Sequence, residues 1–331
     1  MYPRLLLLLL APLAGGLVAA SPATTPTQSF IEEMVRKHGF ERARLTRLLA
    51  SARRRQEIID RLERPAEALP WWRYRRIFLK PARAEAGADY WRRNAATLAR
   101  AEARYGVPAE LIVAIIGVET YYGRQTGGFS VLDALYTQGF HYPRRERFGR
   151  QQLEALLLLA REEGMEPAAA RGSYAGAMGR PQFIPTSYRA FAVDFDGDGR
   201  RDIWNDDADV IGSVANYFAR HGWRPGEAIT APARGVGAGH RRLLEAGIRP
   251  SLVLGELRAE GIRTDPALAD DTEVSLIALE GREGPEYWVG LHNFYVITRY
   301  NHSALYAMAV YQLSREILLR HRQEVPVAQG E

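Results

Sequence analysis

The chain has 331 residues, 47% hydrophobic and 25% charged, which is enough to bury a sizeable core in one large or two modest domains and excludes a disordered or fibrous protein. Its net charge is +5, and only Lys37 and Lys80 among its basic residues are lysines. Cysteine is absent, which excludes a disulfide framework, a thiolate metal site and a lipid-acceptor cysteine.

The first twenty residues, "MYPRLLLLLLAPLAGGLVAA", combine Arg4, a leucine run and small residues at Val18-Ala19-Ala20. That is the layout of a cleaved export signal, so the mature chain is expected to start near Ser21 as an exported, periplasmic, soluble protein. Acidic residues are interleaved with basic runs such as Arg53-Arg54-Arg55, which argues against nucleic acid as a partner; an anionic cell-wall polymer fits the modest positive charge better.

After "SPATTPTQ", short amphipathic helices are predicted over Phe30–Lys37 and Arg42–Ser51, separated by Gly39. A longer helix is predicted over Ala88–Tyr105, closed by Gly106. Between them, "LPWWRYRRIFLKP" is aromatic and bracketed by prolines, which suits an irregular strap. Pro108 then opens a helix with Glu110 in its first turn and Gly123 at its end. Further helices are predicted over Gln151–Glu163, Val210–Gly222 and Ser303–Arg320. Within Glu227–Thr298, "EVSLIALEG" and "EYWVGLHNFYVI" are rich in β-branched and aromatic residues and read as paired strands of a small α/β insertion.

"DFDGDGRRDIW" follows the grammar of an EF-hand loop. Asp194, Asp196 and Asp198 take the first, third and fifth positions, Gly199 the sixth, Arg200 offers a carbonyl at the seventh, and Asp202 stands at the ninth. Arg201 replaces the usual apolar residue at the eighth position, and Asn205 stands where a bidentate Glu is usual, so a later carboxylate such as Asp209 is needed to complete the shell. A structural calcium ion is the expected occupant, with no cofactor for catalysis.

"LIVAIIGVETYYG" places one acid, Glu119, beside the stripe Leu111, Ile115, Val118 and Tyr122, so its carboxylate should face the interior or a cleft wall. Desolvation there favours the protonated form and suits a general acid. Taken alone, the pattern equally fits a buried Glu paired with an arginine. "GSYAGAMGRPQFIPTSY" adds Ser173 and Gln182 among small residues that permit close approach, "ANYF" adds Tyr217, and "TRYNHSALY" adds Tyr300, Asn301 and Tyr306. Aromatic faces stack on sugar rings, and amides and hydroxyls read their polar groups.

Together, "IIGVETYYGRQTGG", "LDAL", "GSYAGAMGRPQFIPTSY", "AVDFDGDG", "IGSVANYF" and "RYNHSALYAMAV" resemble the lytic murein transglycosylase B family over nearly the whole mature chain. The resemblance implies a mainly α (α+β) fold: a signal at 1–20, a helical N-terminal region at 21–87, a lysozyme-like core at 88–226, a small α/β insertion at 227–298 and a returning helix at 299–331. It implies Glu119 as catalytic acid/base, with Ser173, Gln182, Tyr217, Tyr300, Asn301 and Tyr306 lining a saccharide cleft. The implied reaction cleaves peptidoglycan glycan strands between N-acetylmuramic acid and N-acetylglucosamine, leaving 1,6-anhydromuramyl ends. A monomer is expected, with room for partners among cell-wall synthesis or division proteins. The alternatives are a hydrolytic muramidase, using Asp133 or Glu146 as a second carboxylate, and a non-catalytic wall-binding protein.

Overall fold

The computed structural model describes residues 25–64 and 69–324, so the expected export signal lies outside the described residues. Those up to Arg47 form one compact unit and those from Leu48 onward a second. In the first unit a helix covers Pro26–His38, starting four residues before the expected Phe30. Thr25 sets that start, because its hydroxyl accepts from the Gln28 amide at 3.2 Å while the Gln28 side chain accepts from the Thr25 amide at 2.9 Å. Helix Arg42–Ser51 forms with the expected bounds.

In the second unit the aromatic segment expected as a strap is instead a helix, Trp71–Phe78. Its bracketing prolines are not breakers here: Pro70 is the N-cap, and Pro81 opens the next helix where a missing N–H costs nothing. Trp71 and Tyr74, three apart, form its buried face. The single helix expected over Ala88–Tyr105 is two, Pro81–Arg93 and Ala95–Tyr105, parted at Asn94, whose φ is −114° and whose side-chain amide donates to the Tyr90 carbonyl at 3.0 Å.

The helix holding Glu119 runs from Ala109 to Thr120, and every residue in it except Glu110 and Glu119 is buried. It is apolar all round, as a central helix must be. Helices Pro81–Arg93 and Ala304–Glu324 pack against it, with Ala95–Tyr105 and Asp207–Arg220 completing its surround. It ends three residues before the expected Gly123, because Tyr121 and Tyr122 turn left-handed, at φ 51° and 58°. Helices Val131–His141 and Glu146–Glu162 pack as a neighbouring pair.

Two antiparallel sheets complete the described fold. Strands β1 (Phe129–Ser130) and β2 (Arg171–Gly172) form a small ladder. The other sheet holds β3 (Thr230–Pro232), β4 (Leu252–Val253), β5 (Glu273–Glu280) and β6 (Pro285–Gly290) in the order β3-β6-β5-β4. The expected pairing of "EVSLIALEG" with "EYWVGLHNFYVI" is present, with Ile277 opposite Trp288, but the second segment stays extended only to Gly290 and continues as helix His292–Ile297. The sheet buries its own small core around Leu254, Leu257, Val274 and Val289. The architecture is helix-dominated α+β. Among the described residues no helix is long and apolar enough to cross a membrane.

Candidate active site

Glu119 lies in the last turn of its helix, half-buried where its neighbours are wholly buried. The Tyr306 hydroxyl donates to Glu119 Oε1 at 2.5 Å. Tyr306 is 3% exposed and stands in the first turn of helix Ala304–Glu324, where the Ser303 hydroxyl accepts its amide at 3.4 Å.

Behind this pair runs a chain of rings. Tyr300 lies nearly parallel to Tyr306, with centroids 6.4 Å apart, and Tyr217 approaches Tyr300 at 4.6 Å. Each remaining hydroxyl is committed to a carbonyl: Tyr300 donates to Pro181 at 2.6 Å and Tyr217 to Arg299 at 2.5 Å. Burial raises the pKa of all three tyrosines, with the neighbouring Glu119 charge pushing the same way; Tyr217 is pushed up to about 12. They therefore stay neutral hydrogen-bond donors. Asn301 follows Tyr300 in the turn before the helix, and its carbonyl accepts from the Ser303 amide at 2.7 Å.

The glycine-rich segment folds back on itself. The Ser173 hydroxyl accepts from the amides of Ala175 and Ala177 at 3.3 and 3.1 Å, and Met178 bridges both Gly172 and Phe183. A Cβ on Gly172 would lie 2.0 Å from the Ala177 carbonyl oxygen, so only glycine closes this turn. Gln182 is held at φ 52°, its side-chain amide donating to the carbonyls of Gly179 at 2.9 Å and Thr126 at 3.1 Å.

Three residues that sequence reasoning passed over tie this loop to Glu119. Thr120, 1% exposed, donates to the Arg180 carbonyl at 2.9 Å and accepts from the Gly123 amide at 3.1 Å. The Arg180 guanidinium pairs with Asp207 and reaches the Asn205 carbonyl at 3.2 Å. Asp207 also accepts from Tyr90 at 2.7 Å. Thr120 and Arg180 stand inside the "ETYYG" and "GRPQF" stretches, next to the residues that carried the chemical signal.

In the acidic loop, Asp194, Asp196 and Asp209 bring carboxylate oxygens within 4.8 Å of one another. Asp209 is 1% exposed and is fixed by the amides of Phe195 and Asp202, both at 2.6 Å. Burial raises its pKa, and the charges of Asp206 and Asp196 add to that rise. The Asp194 carboxylate is held below the usual range, first by the Gly199 amide. Three hard oxygens, one of them buried, fit a divalent cation such as calcium. Asp198 and Asp202 stand outside this trio: Asp198 accepts from the Arg200 amide at 2.8 Å, and Asp202 from the amides of Trp204 and Asn205 at 2.8 and 2.9 Å.

The carboxylates suggested as a second catalytic acid are engaged elsewhere. Asp133 takes the Arg53 amide and the Arg55 guanidinium, each at 2.9 Å, and Glu146 pairs with Arg150 at 2.8 Å.

Residues 23–315 match the family described as the transglycosylase SLT domain. The chain is 42% identical over 319 residues to membrane-bound lytic murein transglycosylase B of Escherichia coli, spanning 93% of this chain and 86% of that protein. Among solved structures, a soluble lytic transglycosylase of Pseudomonas aeruginosa is 52% identical, with 90% of this chain and 99% of that one covered and a TM-score of 0.84. A lytic transglycosylase of Escherichia coli in complex with calcium is 42% identical, with 91% and 95% covered and a TM-score of 0.82.

Proposed function

The chain belongs to the transglycosylase SLT domain family, and from that membership we propose how its own residues carry out the reaction. It is a lytic murein transglycosylase, an enzyme that cleaves the glycan strands of peptidoglycan. Glu119 is the acid/base. Its protonated carboxyl gives its proton to the oxygen linking N-acetylmuramic acid to N-acetylglucosamine, and the bond from that oxygen to the muramyl anomeric carbon breaks. The muramyl 6-hydroxyl then attacks that carbon and returns its proton to Glu119. A 1,6-anhydromuramyl end forms, and no water enters.

The observation that carries this reading is the hydrogen bond from Tyr306 to Glu119 Oε1, which holds the carboxyl group in one orientation. One carboxylate suffices because the nucleophile belongs to the substrate; ordinary glycoside hydrolysis needs two. The engagement of Asp133 and Glu146 in other bonds favours this over hydrolysis. Ser173 and Asn301 serve the muramyl N-acetyl group or nearby hydroxyls, and Gln182 with Tyr217, Tyr300 and Tyr306 shapes and supports the cleft that holds the sugar rings.

Asp194, Asp196 and Asp209 would hold a structural calcium ion, with Asp198, Arg200 and Asp202 shaping the loop around it. The protein works as an exported, periplasmic, soluble monomer. Replacing Glu119 by Gln tests the catalytic assignment: turnover of peptidoglycan should vanish while glycan binding persists, and mass spectrometry of wild-type digests should give anhydro ends. Near wild-type turnover in Glu119→Gln would end the assignment, and reducing ends, one water heavier, would identify a hydrolase.

A further inference from the structure

The segment "LPWWRYRRIFLKP" has no part in the reaction just described, yet it builds a distinctive surface. With Trp71 and Tyr74 buried, helix Trp71–Phe78 leaves Trp72 half-buried and turns Arg73, Arg76 and Ile77 outward, with exposed Lys80 just beyond. Lys80 also lines a cavity of about 430 Å³, with Arg75 and Leu79 on one side and Arg315, Glu316 and Arg320 of the last helix on the other.

Two features of this face stand out. The first is apolar exposure: Ile77 is 37% and Leu319 52% exposed, two of the three exposed large hydrophobics among the described residues, Ile77 beside Arg73 and Arg76 on the outward side of its helix and Leu319 next to Arg320 in the last helix. The second is surplus charge. Arg75 is engaged by Glu286 at 3.5 Å and Arg320 by Glu316 at 2.5 Å, whereas Arg76, Lys80 and Arg315 have no acidic partner among the described residues. Arg73 lies over the Trp72 ring at 4.7 Å.

We propose that this face docks the protein on an anionic phospholipid surface. The cations attract the headgroup phosphates, and a guanidinium matches a phosphate's paired oxygens. Ile77 and Leu319 leave water for the acyl boundary, while Trp72 brings the amphipathic ring favoured at that depth. A glycan strand fits less well, because exposed aliphatic side chains offer nothing to its hydroxyls. The proposal is independent of the reaction at Glu119.

Sedimentation with vesicles tests it. The purified protein should partition onto vesicles containing about one-third phosphatidylglycerol at least about tenfold more strongly than onto neutral phosphatidylcholine at low salt. Salt of about 0.5 M should remove most of that preference. The triple variant Arg76→Glu, Lys80→Glu, Arg315→Glu should lose about tenfold or more in binding to anionic vesicles. Ile77→Ser with Leu319→Ser should weaken binding at both salt concentrations. Unchanged melting temperature and unchanged turnover of soluble glycan fragments show that the variants are folded. Equal binding to neutral and anionic vesicles overturns the proposal, as does undiminished anionic binding by the triple variant. So does a triple variant that loses affinity for purified cell-wall sacculi where the wild type ignores vesicles, which would assign the face to the wall.

Discussion

Tyr306 donates its hydroxyl to Glu119 at 2.5 Å although 187 residues separate the two in sequence. Tyr306 is packed too deeply to lie against a sugar face, so in the proposed reaction it would act through the carboxyl group it touches. Tyr306→Phe keeps the ring and its stacking on Tyr300 and removes only that donor. General acid catalysis supplies about 10²–10⁴-fold, and the loss of orientation should forfeit about tenfold of it in kcat, with KM little changed. Unchanged kcat in a folded Tyr306→Phe protein would show that Glu119 is positioned without it.

Thr120 and Arg180 make the second prediction. The Thr120 hydroxyl joins the end of the Glu119 helix to the Arg180 carbonyl, and the Arg180 guanidinium joins that loop to Asp207. Thr120→Val preserves shape but strands the part-buried Arg180 carbonyl and Gly123 amide, at a cost of about 1 kcal/mol or more in stability. Arg180→Ala and Asp207→Asn should each lower kcat per folded molecule, and combining them should cost little more than either alone, since both break one pair. Fully additive losses would mean that the two residues act separately.

Parts of the candidate site were legible because each element carries its chemistry locally: a lone acid in an apolar helix, a glycine-rich turn, and an acidic loop of which Asp194, Asp196 and Asp209 converge. Contacts between distant segments were not legible, as with Tyr306 reaching Glu119. Trp71–Phe78 was misread as irregular because prolines that begin helices look the same in sequence as prolines that end them. The break at Asn94 was hidden because the apolar period continues across it, and β6 was read too long because β-branched and aromatic residues continue past Gly290. The need for Gly117 was equally invisible: a Cβ there would lie 2.6 Å from the Tyr122 hydroxyl, a ring brought back onto the helix by two consecutive left-handed residues.

A third prediction concerns the acidic trio. Asp194, Asp196 and Asp209 gather negative charge that a bound calcium ion offsets, so the ion should stabilise the folded chain by mass action, about 2.7 kcal/mol at a hundred times its dissociation constant. Adding calcium to chelator-treated protein should raise the melting temperature, and Asp209→Asn should blunt that rise. If chelation changes neither bound-ion content nor melting temperature, the loop holds no structural cation.

The last prediction follows from His221, whose ring stacks on Tyr217 at 4.0 Å beneath the Tyr300 contact. Its Nδ1 faces the Tyr217 carbonyl at 2.7 Å, so the neutral ring carries its proton there and donates. Burial lowers its pKa below the ordinary 6.5, with Arg299 and Arg220 pushing the same way against the Tyr217 carbonyl. As pH falls the unfolded chain takes up this proton before the folded one. The stability linked to His221 is therefore fully present above about pH 6.5 and is lost as pH drops through the lower folded value. His141 and His321, also lowered by burial, contribute in the same sense. His221→Gln should therefore show a flatter fall in melting temperature from about pH 7 to 5 than the wild type, with a residual slope from the other two histidines. Parallel curves for the two proteins would mean that His221 does not carry this dependence, and that Tyr217 keeps its place under Tyr300 whatever the charge on the ring below it.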